Sequence, residues 1–116
     1  MGIVKDGASV GRIFLCDKKS SILGTLSYLH PKNGFNLYFC YYLLSTVHFQ
    51  KYVVGSTIPH IYFKDYSKEK VKIPTLEKQE KIGSFLRCID RKIKLLNKQI
   101  DLMKNYKSGL LQKMFI

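Results

Sequence analysis

Gly55, Ser56 and Thr57 form a short stretch whose residue types suit direct contact with an anionic ligand. Backbone N–H groups beside a glycine, together with two neighbouring hydroxyls, can hold a phosphate oxygen. The stretch is not the glycine-rich loop of a nucleotide-binding enzyme, because the Gly-x-x-x-x-Gly-Lys-Ser/Thr pattern is absent. Lys64 is expected to be exposed a little further along the chain. The sequence therefore predicts a phosphate contact in this region.

The motifs of several enzyme classes are missing from the sequence. It has no Gly-x-Ser-x-Gly nucleophile elbow, no Gly-x-Gly-x-x-Gly dinucleotide fingerprint and no Asn/Asp-Pro-Pro-Tyr/Phe motif of adenine methyltransferases. It also lacks the Asp…Glu-x-Lys arrangement that would hold catalytic magnesium for nucleic-acid cleavage. The lone carboxylates Asp6, Asp17 and Asp65 are better explained as turn caps. None of these motifs therefore points to a catalytic activity, and none points to a cofactor.

The cysteines and histidines are too scattered to predict a metal site. Cys16, Cys40 and Cys88 share no motif spacing, and the three histidines are equally dispersed. An odd, scattered set of cysteines is typical of buried thiols in a reducing compartment. The N-terminus lacks the apolar core of a signal peptide, and no apolar run approaches the roughly 20 residues of a membrane span. These features predict a cytoplasmic protein with no metal and no membrane contact.

The chain carries 20 Lys and Arg residues against 8 Asp and Glu residues, a formal net charge of +12. Residues 1–70 hold nine basic and four acidic side chains, a net +5, and residues 71–116 hold eleven and four, a net +7. A polyanion is the natural partner of such a surface, and nucleic acid is the commonest one. A lysine-rich surface without a specific partner is the alternative.

Residues 74–116 carry the strongest periodic pattern in the sequence. Apolar residues recur there at alternating steps of four and three, and an average repeat of about 3.5 residues is typical of a seam between two helices. One helix over this stretch would be about 60 Å long, which a small domain cannot cover by itself. The pattern predicts that the helix pairs with another chain or with a second copy of itself. The seam residues are Ile82, Leu86, Ile89, Ile93, Leu96, Ile100 and Met103.

The start of this helix is well marked, but its continuity is not. Pro74 disfavours helix at Ile73, and Thr75 is a residue type that caps a first turn. Asp90 is also a capping type, and Gly83 weakens the helix before it. A break at residues 88–90 is therefore an alternative to one continuous helix.

The residues before the long helix alternate between short extended segments and turns. Strands are predicted at residues 10–15 and 21–29, with Gly24 as a bulge, and a turn is expected at residues 17–20 between them. A short strand or turn follows at residues 60–66 and a last strand at 70–73. Asn36 is placed to cap a helix over residues 37–49, whose apolar residues cover nearly all of its surface. This order predicts an α+β fold, in which short strands surround one buried helix and a long helical, coiled-coil arm follows.

The segment IPTLEKQEKIGSFLRCIDRKIKLLNKQIDLMKNYKSGLLQKMF resembles the region that follows a target-recognition domain in type I restriction-modification specificity subunits. The shared pattern is an Ile-Pro, a short spacer, a Glu/Lys-Gln run, an apolar Phe-Leu, an Ile-Asp and a long helix ending Gly-Leu-Leu-Gln-Lys. The segments GASVGRIFL and LYFCYYLLSTVHFQKYVVGSTIPHIYFKDY resemble the second half of the recognition domain itself. The resemblance implies that residues 1–73 are the C-terminal part of a target-recognition domain, whose N-terminal half we expect to be missing. Residues 74–116 would be a helical spacer and dimerisation region.

The resemblance also implies a role and a set of partners. A specificity subunit does no chemistry and chooses the DNA site for partner methyltransferase and restriction subunits. The implied partners are double-stranded DNA, those subunits, and a second specificity half or second copy that pairs antiparallel through the helix. Two alternatives stay open: a truncated assembly or regulatory fragment that does not read DNA, and a nonspecific basic nucleic-acid-binding protein. The residues expected to contact DNA are Lys5, Arg12, Ser56, Thr57, His60 and Lys64.

Overall fold

The computed structural model describes residues 1–17 and 19–116 and has an α+β fold, as the sequence predicts. The chain divides into two compact units, Met1–Gly83 and Ser84–Ile116. Within the described residues, no helix is both long and apolar enough to cross a membrane. The elements are β1 (Gly2–Val4), β2 (Ile13–Phe14), β3 (Leu26–Tyr28), α1 (Leu37–Ser45), a 3-10 helix (Phe49–Tyr52), α2 (Phe63–Tyr66) and α3 (Leu76–Met114).

The sheet is antiparallel and has the order β2-β1-β3, so β1 is its central strand. Ile3 of β1 pairs with Ile13 on one side and with Ser27 on the other, and its side chain is fully buried. β-branched residues suit a pleated, half-buried surface, which favours a strand at the short apolar pair Ile3 and Val4. The sequence did not predict this strand, because two residues are too few to show an alternating pattern.

A turn shortens the strand that was expected at residues 10–15. Gly7 and Gly11 have φ of +99° and +86°, backbone conformations that glycine adopts without strain. The Val10 N–H donates to the Gly7 carbonyl at 3.1 Å, which closes the turn. The strand prediction is therefore wrong for the residues before Ile13 and correct for β2 alone.

The strand that was expected at residues 21–29 is shortened in the same way. The Leu26 N–H donates to the Leu23 carbonyl at 3.0 Å, so Gly24 lies in a turn and does not form a bulge. The extended part is confined to β3. The turn expected at residues 17–20 includes Lys18, which lies outside the described residues.

The core of the N-terminal unit joins the sheet to the segments that follow α1. Its buried members come from β1, the turn after it, the 3-10 helix and α2, and the rings of Phe49 and Tyr66 meet edge to face at 5.6 Å between centroids. Burial of each large apolar side chain is worth roughly 1.5–3 kcal/mol. This cluster therefore holds the loop between the 3-10 helix and α2 against β1. The buried members are Ile3, Val10, Phe49, Ile61 and Tyr66.

Helix α1 begins where the sequence predicts, and Asn36 is its cap. The Asn36 side-chain oxygen accepts a hydrogen bond from the Phe39 N–H at 3.0 Å. The helix ends at Ser45, short of the predicted residue 49, because the hydroxyls of Ser45 and Thr46 donate to carbonyls of the last turn at 2.8 and 2.7 Å. Such side-chain bonds compete with helix propagation. Phe39 is the buried residue of α1, and most of its other side chains are half-buried.

Helix α3 is continuous from Leu76 to Met114, a length of 39 residues. At about 1.5 Å per residue this is roughly 58 Å. The break considered at residues 88–90 is absent from this helix. Gly83 was expected to weaken the helix because glycine has a low helix propensity. In the structure it is buried against the start of α1. A Cβ there would lie 2.8 Å from the Asn36 Oδ1 and 3.0 Å from the Phe39 nitrogen, so the glycine permits a close approach of two helices.

The region between the 3-10 helix and α3 contains less strand than expected. His60 makes isolated antiparallel bridges with Asp6 and with Val54, and the residues after it turn into α2. Residues 70–73 form no strand, so the prediction of a last strand there is wrong. These residues instead lead, without a sheet partner, into Pro74 and α3.

Candidate nucleic-acid interface

Residues 54–60 form a closed loop, which we call the 54–60 loop. Its two ends exchange backbone hydrogen bonds, from the Val54 N–H to the His60 carbonyl and back, both at 2.9 Å. Gly55 has a φ of +97°, and a Cβ there would lie 2.6 Å from the Ile58 carbonyl oxygen and 2.9 Å from the His60 ring. Only glycine fits this position without displacing backbone. The sequence found Gly55 by its type, and the structure gives the reason for it.

The 54–60 loop exposes two hydroxyls and two apolar side chains, one of which is Val54, 45% exposed. Ser56 and Thr57 are exposed, and the Ile58 side chain is 63% exposed. The His60 Nδ1 lies 3.0 Å from the Ile58 carbonyl oxygen. Because a carbonyl can only accept, this contact is a hydrogen bond when Nδ1 carries the proton. The loop is thus braced from inside by a side chain that sequence reasoning had assigned to DNA contact.

Aromatic and basic side chains continue the surface beyond the loop. The His60 and Tyr62 rings meet edge to face at 5.0 Å between centroids, and the Lys64 Nζ lies 5.3 Å from the centre of the Tyr62 ring. Tyr62 is 49% exposed and Lys64 is exposed. A cation over an aromatic face is attracted to the ring by about 0.5–1 kcal/mol at an exposed site. This contact favours a position of the Lys64 ammonium over Tyr62, two residues beyond the loop.

Lys5 lies beside the same segment, although it is far away in sequence. Its carbonyl accepts a hydrogen bond from the Ile61 N–H at 2.9 Å, and the Gly7 N–H donates to the Pro59 carbonyl at 2.8 Å. These bonds fasten the turn after β1 to the base of the 54–60 loop. Five of the six expected DNA contacts therefore lie in one region of the N-terminal unit. They are Lys5, Ser56, Thr57, His60 and Lys64.

Arg12 has no direct backbone bond to residues 54–61 among the described hydrogen bonds, but its carbonyl accepts from the Val4 N–H at 3.0 Å. It is exposed in the turn before β2, where its N–H donates to the Ser9 carbonyl at 3.1 Å. A shallow cavity separates this turn from residues 47–50, and the Gln50 side chain reaches across to the Val10 carbonyl at 3.3 Å. Arg12 thus lines a shallow cavity together with residues at the start of the 3-10 helix.

An apolar cavity of about 360 Å³ lies beside α1 in the N-terminal unit. Cys40 lines it, together with Leu44, Phe63 and other apolar residues. Burial raises the pKa of the Cys40 thiol, which disfavours the thiolate that a nucleophile requires. Among the described residues, no three His, Cys, Asp or Glu side chains come together as a metal site would need. The lining of the cavity is therefore mainly apolar, although His30, Lys32 and Glu69 also belong to it.

The seam residues of α3 are open to solvent for most of its length. Exposure of their side chains rises from 40% at Ile82 to 65% at Met103, while Leu86 is half-buried. A row of large apolar side chains this exposed is a site for association or aggregation. Ile89, Ile93, Leu96 and Ile100 lie between these limits.

Sequence reasoning missed two features of the N-terminal unit. Gln79 is only 2% exposed and joins α3 to α1: its Oε1 accepts from the Asn36 N–H, and its Nε2 donates to the Pro74 carbonyl, both at 3.0 Å. A polar residue in a helical pattern gives no signal of this kind. Ile58 was also missed, because its exposure depends on the loop closure. A β-branched residue directly after Gly55, Ser56 and Thr57 was the available signal.

Comparison with known proteins places these features in a family. Residues 3–105 match the family model described as "Type I restriction modification DNA specificity domain". The chain is 35% identical over 113 residues to the type I restriction enzyme MjaVIII specificity subunit of Methanocaldococcus jannaschii. That match covers 95% of this chain and 26% of the relative, so the chain spans about a quarter of the relative's length. No solved structure matches. The chain belongs to the family of type I restriction-modification DNA specificity domains.

Proposed function

We propose that this chain is a DNA-sequence-specificity module of a type I restriction-modification complex, which directs partner methyltransferase and restriction subunits to a DNA site. In this proposal residues 1–73 are the C-terminal part of a target-recognition domain. Residues 74–116 are the helical spacer and dimerisation region. The module works in the cytoplasm and performs no reaction itself, since methylation and cleavage belong to its partners.

The observation that carries the proposal is that the Lys5 backbone and the Lys64–Tyr62 pair both adjoin the residues directly after the 54–60 loop. Ser56 and Thr57 offer exposed hydroxyls there, and the loop backbone is held by hydrogen bonds at both ends. Contacts from hydroxyls, N–H groups and lysines to phosphate fix the register of a protein on duplex DNA. The net charge of +12 supports the same ligand.

The test is a titration of the full chain against two duplexes. One is selected from a randomised library by the protein itself, and the other is a scrambled sequence of equal length and base composition. A specific reader binds the selected duplex far more tightly, whereas a nonspecific basic protein binds both alike. Equal affinities at physiological salt would refute the proposal.

The salt dependence of binding tests the individual contacts. Each neutralised phosphate adds about 0.9 to the slope of log K against log salt. Lys64→Ala and Arg12→Ala should each reduce the slope by about one if the side chain touches phosphate. An effect of Lys64→Ala without one of Arg12→Ala would assign the phosphate contact to Lys64 and remove Arg12 from the interface.

The exposed seam of α3 favours a second role, in assembly. The chain would then pair through its helix with a full specificity subunit, and its own residues 1–73 would not read DNA. Co-purification with methyltransferase subunits, combined with no affinity for any duplex, would identify this role. Co-purification together with a large specificity ratio would instead support the first proposal in full.

A further inference from the structure

Ile58 is the least expected side chain on the candidate DNA surface. It is 63% exposed, although the loop around it is closed and well bonded. Its neighbours Ser56 and Thr57 are small and polar, as an exposed turn normally is. An isolated exposed isoleucine needs no explanation in general. This one differs because its backbone is fixed on both sides.

Three contacts fix the backbone at Ile58. Its own carbonyl accepts from the His60 Nδ1 at 3.0 Å. The next carbonyl, that of Pro59, accepts from the Gly7 N–H at 2.8 Å, which fastens it to the turn after β1. The loop ends are closed by the Val54 and His60 bridge. The side chain is therefore presented from a supported backbone that does not need to reorganise on binding.

The surroundings of Ile58 suit duplex DNA better than a protein partner. Lys5, Lys64 and the two exposed hydroxyls lie in the same region, and residues 1–70 carry a net +5. The cores of protein interfaces are depleted in charged residues. Lysines and hydroxyls near an exposed isoleucine instead match the proteins that insert an Ile, Leu or Phe between base steps while holding the backbone.

We infer that Ile58 is a wedge that inserts between two stacked base pairs of the bound duplex. This inference rests on the proposed function, and it adds a way of reading sequence that needs no hydrogen bond to a base. Pyrimidine–purine steps unstack more readily than others, so insertion would favour such a step by its deformability. The neighbouring hydroxyls and lysines would hold the phosphates on either side of the opened step.

The test uses the full chain, the selected duplex and a series of its variants with 2-aminopurine at successive positions. The fluorescence of 2-aminopurine rises when its stacking is lost. The wild-type protein should raise the fluorescence at one base step. Ile58→Ala should abolish this rise. It should also weaken binding about tenfold or more, since three side-chain carbons are no longer buried. The salt slope should stay unchanged, because the phosphate contacts remain.

Two further variants make the result specific. Leu23 is 76% exposed in the turn before β3, and Leu23→Ala should change neither fluorescence nor affinity. Ile58→Leu keeps an apolar side chain and should retain the fluorescence rise. An undiminished rise with Ile58→Ala overturns the wedge, as does a wild-type complex with no rise at any step. A rise that occurs equally on scrambled duplexes retains the wedge and refutes sequence specificity, so the two proposals fail separately.

Discussion

Gln79 is the residue on which the junction of α1 and α3 depends within the N-terminal unit. Buried polar groups are costly unless they are hydrogen-bonded, and both ends of the Gln79 amide have partners. Its Oε1 satisfies the Asn36 N–H, one of the donors that a helix start leaves without an intrahelical partner. Asn36 in turn caps the Phe39 N–H. Two side chains therefore satisfy two N–H groups at the start of α1, and one of these side chains comes from α3.

Gly83 completes this junction, and replacing it should be destabilising. In the interior of an ordinary helix, Gly→Ala raises the free energy of unfolding by up to about 1 kcal/mol, because alanine has the higher helix propensity. At Gly83 the added Cβ would meet the Asn36 Oδ1 at 2.8 Å and the Phe39 nitrogen at 3.0 Å, and would displace the cap. We expect Gly83→Ala to cost about 1–3 kcal/mol, by loss of the cap and strained packing. Urea unfolding followed by circular dichroism measures the change.

Gly109 provides the control for that prediction. It lies in the same helix, and a Cβ there would meet no atom within 4 Å. Gly109→Ala should leave the helical signal equal or higher, by up to about 1 kcal/mol of helix propensity. If Gly83→Ala also stabilised the protein, the close approach of α1 and α3 would be wrong.

Glu69 is the centre of a small polar cluster that makes stability depend on pH. Its carboxylate pairs with the Lys51 Nζ at 2.7 Å and accepts a hydrogen bond from the Tyr52 hydroxyl. The bonds from Lys51 and then Tyr52 hold the pKa of Glu69 below its usual value. The bond to Glu69 is also the main cause that raises the pKa of Lys51 and of Tyr52. A carboxyl group whose pKa is lowered by folding stabilises the folded state at pH values above its pKa in the unfolded chain. A Lys or Tyr whose pKa is raised by folding does so at pH values below its pKa in the unfolded chain.

The cluster should therefore stabilise the fold between mildly acidic and mildly alkaline pH. Its contribution is lost as pH falls through the lowered pKa of Glu69, and again as pH rises through the raised values of Lys51 and Tyr52. At pH 7, the Glu69→Gln variant should have a lower free energy of unfolding than the wild type. In strong acid, where Glu69 is protonated in the wild type, the two free energies should be nearly equal. Urea unfolding across a pH series measures this. Glu80→Gln, an exposed site on α3, is the control, and a pH-independent difference for Glu69→Gln would contradict the prediction.

The elements of the fold differ in how well the sequence predicts them. The α3 helix and the Asn36 cap were predictable, because both depend on residues close together in the chain. β1 was not, since a short strand is stabilised by partners far away in sequence, here β2 and β3. The supposed helix break failed for a related reason. Gly83 was interpreted by its intrinsic propensity, whereas its role is a tertiary contact with α1.

The candidate site shows the same division. Residue type alone identified Gly55, Ser56 and Thr57. Their proximity to Lys64 followed from the short separation in sequence. The approach of Lys5 depends on the backbone bond from Ile61, which no local pattern predicts. The exposure of Ile58 depends on the closure of the loop by His60. Sequence reasoning therefore found the segment and missed the geometry that makes it a surface.

The seam of α3 predicts self-association of the chain as an antiparallel pair of helices. Ile93→Asp combined with Ile100→Asp would bury unpaired charge in such a pair and should give a monomer. Sedimentation at tens of micromolar protein measures the change, and a monomeric wild type would contradict the prediction. The control is Ser84→Asp combined with Asn105→Asp, which adds the same charge. At about 100° per residue these two positions lie well away from the seam, so this variant should still associate.

At the scale of the whole molecule, the chain is an N-terminal unit that ends at Gly83 and a C-terminal helical unit. The boundary expected from the sequence, after residue 73, would separate α1 from Gln79 and Gly83. Folded domains keep only about 5–15 kcal/mol of net stability, so a few lost contacts at a helix start matter. The apolar cavity beside α1 shows that this helix is already incompletely covered.

The last prediction compares two fragments, residues 1–73 and residues 1–83. The longer one retains Gln79 and Gly83, and its amides at residues 36–49, which include α1, should resist hydrogen exchange as strongly as those of the full chain. The shorter one leaves the Asn36 N–H without its partner at a cost of about 1–3 kcal/mol and removes Gly83 from beside the Phe39 nitrogen, so the same amides should exchange quickly. Gln79→Ala in the longer fragment should weaken protection mainly at the first turn of α1. Equal protection in both fragments would mean that residues 1–73 fold without the start of α3. The first turns of α3 would then belong functionally to the spacer.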